Sequence, residues 1–433
     1  MHVSLQRCKR SAMSKKPEAT VETLRIARLA HKGDGVVESE AGQIFIPYTL
    51  EGELVSAKVQ GPRAELKEVI EPSAHRVAPV CKHYGTCGGC SLQHMDEASY
   101  KEFKRQQVVD ALASRGIESA VEDVVVCDKG SRRRAVFAAV KAGHKVLFGY
   151  HTAKSNRLVD IEECPVIAPE IMKAVPGLRR LAGDVLPRKG ELKFTVTTTQ
   201  SGLDVAITGL GKNKDKHYLQ LSQGAVENDL ARLTVDGETI IEIRPPLLDM
   251  SGAAVPIPAG GFIQAALSAE NTMGDLLAEG LKGCKRVADL FCGAGTLTFK
   301  IGQFANVHAV EGEASSLKAL DLGLRRAKGL KKVTTERRDL FRRPIVAKEL
   351  DNFGKGYDGV VFDPPRAGAL AQAQELAKSP VKKIVAVSCS PASFARDMRE
   401  LLDGGYEIKR VVPIDQFLYS PHVEVVALLE RSA

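Results

Sequence analysis

The stretch Val287-Ala288-Asp289-Leu290-Phe291-Cys292-Gly293-Ala294-Gly295-Thr296-Leu297-Thr298-Phe299 reads as strand, tight turn and helix. An apolar run stops at two glycines, which let the backbone turn left-handed and approach a bound molecule closely. The helix beyond them presents unpaired amides to polar ligand atoms. A dinucleotide fingerprint wants a third glycine three residues after the second, where this chain has Thr298, and that argues against NAD. The next apolar run, Val307-His308-Ala309-Val310-Glu311, ends in a carboxylate placed to accept hydrogen bonds from ribose hydroxyls. Glu311 thus marks a nucleotide or S-adenosylmethionine site without choosing between them.

Outward from this stretch, strands near Val287, Val307, Val333, Val360 and Ile384 alternate with helices, those after the second, fourth and fifth strands starting at Ser315, Ala369 and Ser393. Two last strands lie near Ile408 and Val423. Such alternation predicts an α/β domain, its mostly parallel sheet covered by helices on both faces. Asp363-Pro364-Pro365-Arg366 and Ser388-Cys389-Ser390-Pro391 each close an apolar run, at strand C-termini where α/β ligand sites gather. Asp339, after the third strand, is either a partner for a nucleobase amino group or a turn aspartate. Pro256-Ile257-Pro258-Ala259-Gly260-Gly261 marks the entry to this domain, residues 259–433.

Three regions precede it. Residues 1–20 have no apolar face and are expected to be disordered. Residues 21–72 carry short β-forming runs, Leu24 to Leu29, Gln43 to Pro47 and Leu54 to Gln60, a small-barrel pattern. Residues 73–258 read as α+β: a helix from Glu97 to Arg115 stopped by Gly116, then strands at Ala135 to Val140, Val146 to Tyr150, Phe194 to Thr199 and Leu203 to Thr208.

The chain has nine cysteines, and no secretory signal that would favour disulfides. Cys81, Cys87 and Cys90 follow C-x5-C-x2-C in a glycine-rich loop, and Cys164 stands far off before Pro165. Clustered thiols of this kind read as thiolates on a metal, and the spacing leaves zinc and a cubane iron-sulfur cluster both open. Cys8, Cys127, Cys284 and Cys292 have no partner pattern and read as bystanders. A net charge of +8, with nine Lys or Arg against two acids between Arg325 and Arg343, suits a polyanionic partner. Arg132-Arg133-Arg134 and Arg179-Arg180 add smaller basic knots. No apolar run approaches a membrane span, so a cytoplasmic protein is expected.

Cys389 ends a β-branched strand beside the ligand turn, where a thiol can act as nucleophile. Glu424 stands at the mouth of the apolar run Val423 to Leu429, where a carboxylate has reason to be a base. A methyl donor, a thiolate and a base together suit C5 of uracil, which takes a methyl group only after thiolate addition at C6 makes it an enolate.

With these residues the chain resembles the class I RNA uracil-5 methyltransferases, and especially the bacterial 23S rRNA members that join a TRAM domain, an OB-like RNA-binding barrel, to a 4Fe-4S cluster. The resemblance runs from about Glu22 to the C-terminus. It rests on Cys81, Cys87, Cys90 and Cys164, on Phe262-Ile263-Gln264, Asp289 to Gly293, Asp363 to Arg366 and Ser388-Cys389, and on His422-Val423-Glu424. It implies a class I methyltransferase domain after a TRAM barrel and a central iron-sulfur region, with the 4Fe-4S cluster on the four cysteines. It further implies S-adenosylmethionine on Gln264, Phe291, Thr296, Glu311, Asp339 and Asp363, Cys389 as nucleophile and Glu424 as base. RNA is the implied partner, 23S rRNA before tRNA, with no DNA or membrane partner and a monomeric chain. A non-catalytic RNA-binding factor on this scaffold would be expected to lack Cys389 or Glu424. Two positions depart from the family pattern: Ala266 and Ser390 stand where asparagine is usual, touching cofactor contacts and base orientation respectively.

Overall fold

The computed structural model describes residues 19–40, 42–153, 155–351 and 356–431. The chain divides into two compact units, Met1–Val77 and Ala78–Ala433. The N-terminal stretch expected to be disordered lies outside the described residues except for its last two, and Cys8 lies outside them as well.

The first unit holds β1 (Thr20–Arg25), β2 (Arg28–Leu29), β3 (Gly35–Ser39), β4 (Gly42–Ile46), β5 (Leu54–Gln60) and β6 (Arg63–Glu71) in the order β1-β5-β6-β4-β3-β2. Only Ile26 and Ala27 separate β1 from β2, so one bent stretch of chain pairs with β5 on one side and with β3 on the other. The sheet thereby curls closed. Along β5 every second residue, Val55, Ala57 and Val59, points inward to meet Ile26, Val37, Ile44 and Ile46.

The second unit begins with α1 (Glu97–Ala113) and β7 (Val125–Val126). A seven-stranded sheet follows from β8 (Arg134–Ala142), β9 (Lys145–His151), β10 (Leu158–Asp160), β11 (Glu191–Thr199), β12 (Gly202–Thr208), β13 (Leu230–Val235) and β14 (Glu238–Glu242), ordered β10-β9-β8-β11-β12-β13-β14. It packs against α2 (Pro169–Val185) and α3 (Tyr218–Glu227). A hairpin, β15 (Leu247–Met250) and β16 (Ala253–Pro256), leads to the last sheet.

That sheet takes β17 (Arg286–Leu290), β18 (Asn306–Glu311), β19 (Val333–Arg337), β20 (Gly359–Phe362), β21 (Lys383–Ser388), β22 (Tyr406–Asp415) and β23 (Glu424–Arg431), with β7 on its edge. The order is β19-β18-β17-β20-β21-β23-β22-β7. The chain winds outward in both directions from β17, so the crevice of the fold opens between the ends of β17 and β20. Helices α4 (Leu267–Gly280), α5 (Thr296–Gly302) and α6 (Ala314–Arg326) cover one face; α8 (Leu370–Ala377) and α9 (Pro391–Asp403) cover the other, after the short α7 (Ala347–Asp351). Alternate residues of one strand feed opposite cores: Val287 packs on the first face, Ala288 and Leu290 on the second.

Two features differ from the sequence reading. β23 runs antiparallel to both β21 and β22, because eight residues between β22 and β23 suffice for a hairpin turn but not for a crossover. The segment with α1 and β7, assigned by sequence to the 73–258 region, joins the last sheet instead. Tyr100, Lys104, Val108 and Leu112 form a buried stripe at four-residue spacing; Val108 and Leu112 enter the core of α8 and α9, and β7 pairs with β22.

Candidate active site

The glycine turn is built as its sequence demands. Gly293 and Gly295 take φ of 57° and 99°, Phe291 is itself left-handed at 62°, and Gly295 caps α5, whose first residue is Thr296. A side chain at Gly295 would stand 2.5 Å from Leu320 Cδ1. Glu311, ending β18, is fastened to this turn: the Gly293 amide donates to its Oε2 at 3.0 Å and the Glu313 amide to its Oε1 at 2.7 Å. Asp339 Oδ1 accepts from the amides of Phe341 and Arg342 at 3.0 and 3.3 Å, a turn contact made by one of its two oxygens. Phe291 and Phe341 face each other with ring centres 5.4 Å apart. Beneath the turn, Asp289 is fully buried; Thr298 donates to its Oδ2 at 2.5 Å while its Oδ1 has no partner. Burial pushes the Asp289 carboxyl up to about 7.

Cys389 and Glu424 come from neighbouring antiparallel strands. Val387 pairs with Val426 and Ser388 with Val425, where the ladder ends; Cys389 follows β21 directly, Glu424 opens β23, and the two lie close enough for the charge of Glu424 to act on the thiol. Glu424 is buried, Cys389 half-buried. A chain of hydrogen bonds crosses the crevice: Gln264 Nε2 donates to Asp363 Oδ2 at 3.0 Å, and Gln416 Nε2 donates at 2.9 Å to both Gln264 Oε1 and Glu424 Oε1. Gln416 Oε1 in turn accepts from the Ala265 amide at 2.7 Å. Burial and then the charge of Asp363 push Glu424 up to about 8, against the pull of Gln416 and Arg366. Burial, Glu424 and Asp363 push the Cys389 thiol up to about 11, which Arg366 partly offsets. Burial lifts Asp363 itself to about 6. Ser390, one of the two departures, caps α9, its hydroxyl accepting from the Ser393 amide.

Gln416 was not singled out from the sequence. The signal existed, because Asp415-Gln416 closes the apolar run Val411 to Ile414 just as Asp363 and Cys389 close theirs.

Cys81, Cys87, Cys90 and Cys164 line one cavity of about 390 Å³, together with Tyr150, Arg132, Arg366, Phe417 and His422. The sequence spacing of Cys164 is therefore closed by the fold. Among the described residues, no three Cys, His, Asp or Glu side chains gather as they would around a single metal ion. The Gly89 amide points at Cys87 Sγ, 3.4 Å away, and Gln93 bonds the Cys81 amide and the Cys90 thiol.

Much of the basic sequence is spent on structure. Arg133 donates to the Gln264 carbonyl at 3.0 Å and pairs with Glu270; Arg134 donates to Gly260, and Arg338 is held by Glu336 and Glu349. Arg342 is 87% exposed, and Arg132 lies over the Phe417 ring at 5.6 Å.

A fold wound outward from β17, with its crevice lined by Gln264, Glu311 and Asp363, is that of the class I methyltransferases. The model of the tRNA (uracil-5-)-methyltransferase family matches residues 258–432. An uncharacterized RNA methyltransferase of Brucella suis is 47% identical over 94% of this chain and 97% of its own. The 23S rRNA (uracil(1939)-C(5))-methyltransferase of Chromohalobacter salexigens is 30% identical over 98% of this chain and 92% of its own. The solved tRNA (uracil-54, C5)-methyltransferase of Pyrococcus abyssi, in complex with S-adenosyl-L-homocysteine, superposes with a TM-score of 0.72 at 21% identity, covering 94% of this chain and 99% of that one. The chain belongs to the RNA (uracil-5-)-methyltransferase family.

Proposed function

We propose that this protein methylates C5 of uridine in RNA, with 23S rRNA as substrate, through a covalent adduct between Cys389 and C6 of the base. The observation that supports this reading is the hydrogen-bond chain from Asp363 through Gln264 and Gln416 to Glu424, with Cys389 near enough to feel the charge of Glu424. S-adenosylmethionine supplies the methyl group, and Gln264, Phe291, Thr296, Glu311, Asp339 and Asp363 are the residues to hold it. The amides that bind both Glu311 oxygens hold its carboxylate in one orientation at the end of β18, which supports its reading as the ribose acceptor. Cys389 gives its proton to water and adds to C6 as the thiolate, the electron pair of the C5–C6 double bond moving into an enolate; C5 of that enolate then takes the methyl group, and the pair of the broken sulfur-methyl bond stays on the donor sulfur. Glu424 removes the C5 proton, and the electron pair of that bond expels the thiolate. A carboxyl lifted to about 8 is a stronger base, once ionised, than an ordinary carboxylate, and Gln416 donates a hydrogen bond to it.

The four cavity cysteines suit a 4Fe-4S cluster, since four partly buried sulfurs face one cavity and the Gly89 amide points at one of them. The closed sheet of the first unit suits a TRAM-type RNA-binding barrel, and a monomeric cytoplasmic enzyme follows from the same reading. A 23S rRNA transcript incubated with the protein and S-adenosylmethionine should gain 5-methyluridine, located by digestion and mass spectrometry. Methylation of tRNA transcripts alone would reassign the substrate. Brown protein with about four irons per chain is expected after anaerobic purification; colourless, iron-free protein would remove the cluster.

A further inference from the structure

The helix α1 carries no residue of the site just described, yet it grips the loop that closes it. Tyr100, Lys104 and Gln107 stand at i, i+4 and i+7 and so share one helix face. Lys104 is completely buried, unusual for a lysine, and its ammonium donates to Asp415 Oδ1 at 2.7 Å and to the His422 carbonyl. The Tyr100 hydroxyl donates to the other oxygen of Asp415 and accepts from the Tyr419 amide at 2.8 Å. Gln107 donates to the Pro421 carbonyl at 3.1 Å.

These bonds fall on both ends of the 416–423 loop and on its middle. Asp415 is the residue immediately before Gln416, and His422 stands two residues before Glu424. Between them the loop presents Gln416 to Glu424 and Gln264. The same loop is tied to the cysteine segment, because the amides of Ser91 and Leu92 both donate to the Tyr419 carbonyl, at 2.9 and 3.1 Å. A buried ammonium with a carboxylate on one side and a carbonyl on the other leaves the loop ends little freedom, since moving either would strand a charge away from water.

We propose that Tyr100, Lys104 and Asp415 are positioning residues for methyl transfer: they clamp the 416–423 loop so that Gln416 holds Glu424 in line for removal of the C5 proton. None of them touches the reacting atoms. The inference rests on the proposed role of Glu424, and it assigns α1 and the segment after the cysteines to the release half of the reaction. With the clamp loosened, addition by Cys389 persists while release slows, so covalent protein-RNA adduct builds up.

Two variants test this. Tyr100→Phe removes only a hydroxyl, and Lys104→Met with Asp415→Asn removes both charges together so that neither is left buried alone. Hydrogen exchange of the 416–423 amides should quicken by on the order of tenfold or more in both, with exchange in the β17–β20 strands unchanged. With a 23S rRNA transcript, kcat should fall by about tenfold or more while KM for S-adenosylmethionine moves less than about twofold, and the adduct seen on denaturing gels should increase. Unchanged exchange, unchanged kcat, or a kcat loss without added adduct in folded variants would each overturn the proposal. If the unaltered protein shows no methyl transfer, the functional reading fails, while the exchange experiment still decides whether the clamp holds the loop.

Discussion

Glu424 is the residue whose protonation should set the pace of the reaction. Its carboxyl is lifted to about 8 by burial first and Asp363 second, so at neutral pH most of it is protonated and idle. Since the ionised form takes the C5 proton, turnover should rise with pH through about 8. A pH-rate profile flat from 6 to 9 would exclude Glu424 as the base. Asp289 offers a second pH test. Its carboxyl holds a proton more tightly folded than unfolded, so stability contributed in acid is lost as pH rises from about 4 through about 7. The loss is at most about 4 kcal/mol for a shift of this size. Asp289→Asn should therefore raise the melting temperature at pH 8 and flatten its pH dependence; an unchanged dependence would show that another group carries it. Cys389 and Glu424 were legible in the sequence because each interrupts an apolar strand end. Tyr100 and Lys104 were not, since their partner Asp415 lies more than 300 residues away and a lysine inside a helix pattern ordinarily belongs to its solvated face.

At the scale of elements, the glycine turn between β17 and α5 leaves no room for a side chain at Gly295. Gly295→Ala places a Cβ at a left-handed position and against Leu320, a strain of about 1–3 kcal/mol before any repacking. The variant should melt earlier and bind S-adenosylmethionine weakly by calorimetry. Wild-type affinity would mean that the cofactor does not use this turn. The alternation of strands and helices from Val287 onward was readable to within a residue or two, because most of the strands, such as β17, β18, β20, β21 and β23, are largely runs of apolar β-formers. The antiparallel insertion of β23 was not, because periodicity reports that a strand exists and says nothing of its neighbours. The two-residue β7 has only the short β-branched run Val124-Val125-Val126 to mark it, and its pairing with Ile414 and Asp415 makes it a strand.

At the scale of the molecule, the chain divides into two compact units, and removal of the first tests what it contributes. A protein lacking residues 1–77 should bind the RNA more weakly, with a higher KM for RNA, yet reach the full kcat at saturating RNA, as expected of binding energy spent equally on ground and transition states. A kcat that stays low at saturation would make this unit part of the catalytic body. The barrel pattern of its strands was readable, whereas its closure was not: that depends on the bend at Ile26-Ala27, which nothing in the local sequence marks. The basic stretches misled in the opposite sense. Arg133 and Arg338 read as phosphate contacts, yet both are committed to carboxylates and carbonyls within the fold.

The central claim is that one residue makes the bond to the base and another permits its release. A 23S rRNA transcript incubated with S-adenosylmethionine and the Glu424→Gln protein should stay attached to it through denaturing electrophoresis as a slow band. The Cys389→Ala protein and the double variant should give no such band, and a 5-fluorouridine transcript should trap the unaltered protein in the same way. Methylation at C5 by Cys389→Ala, or methylation by the unaltered protein with no adduct from either Glu424→Gln or 5-fluorouridine, would contradict the account.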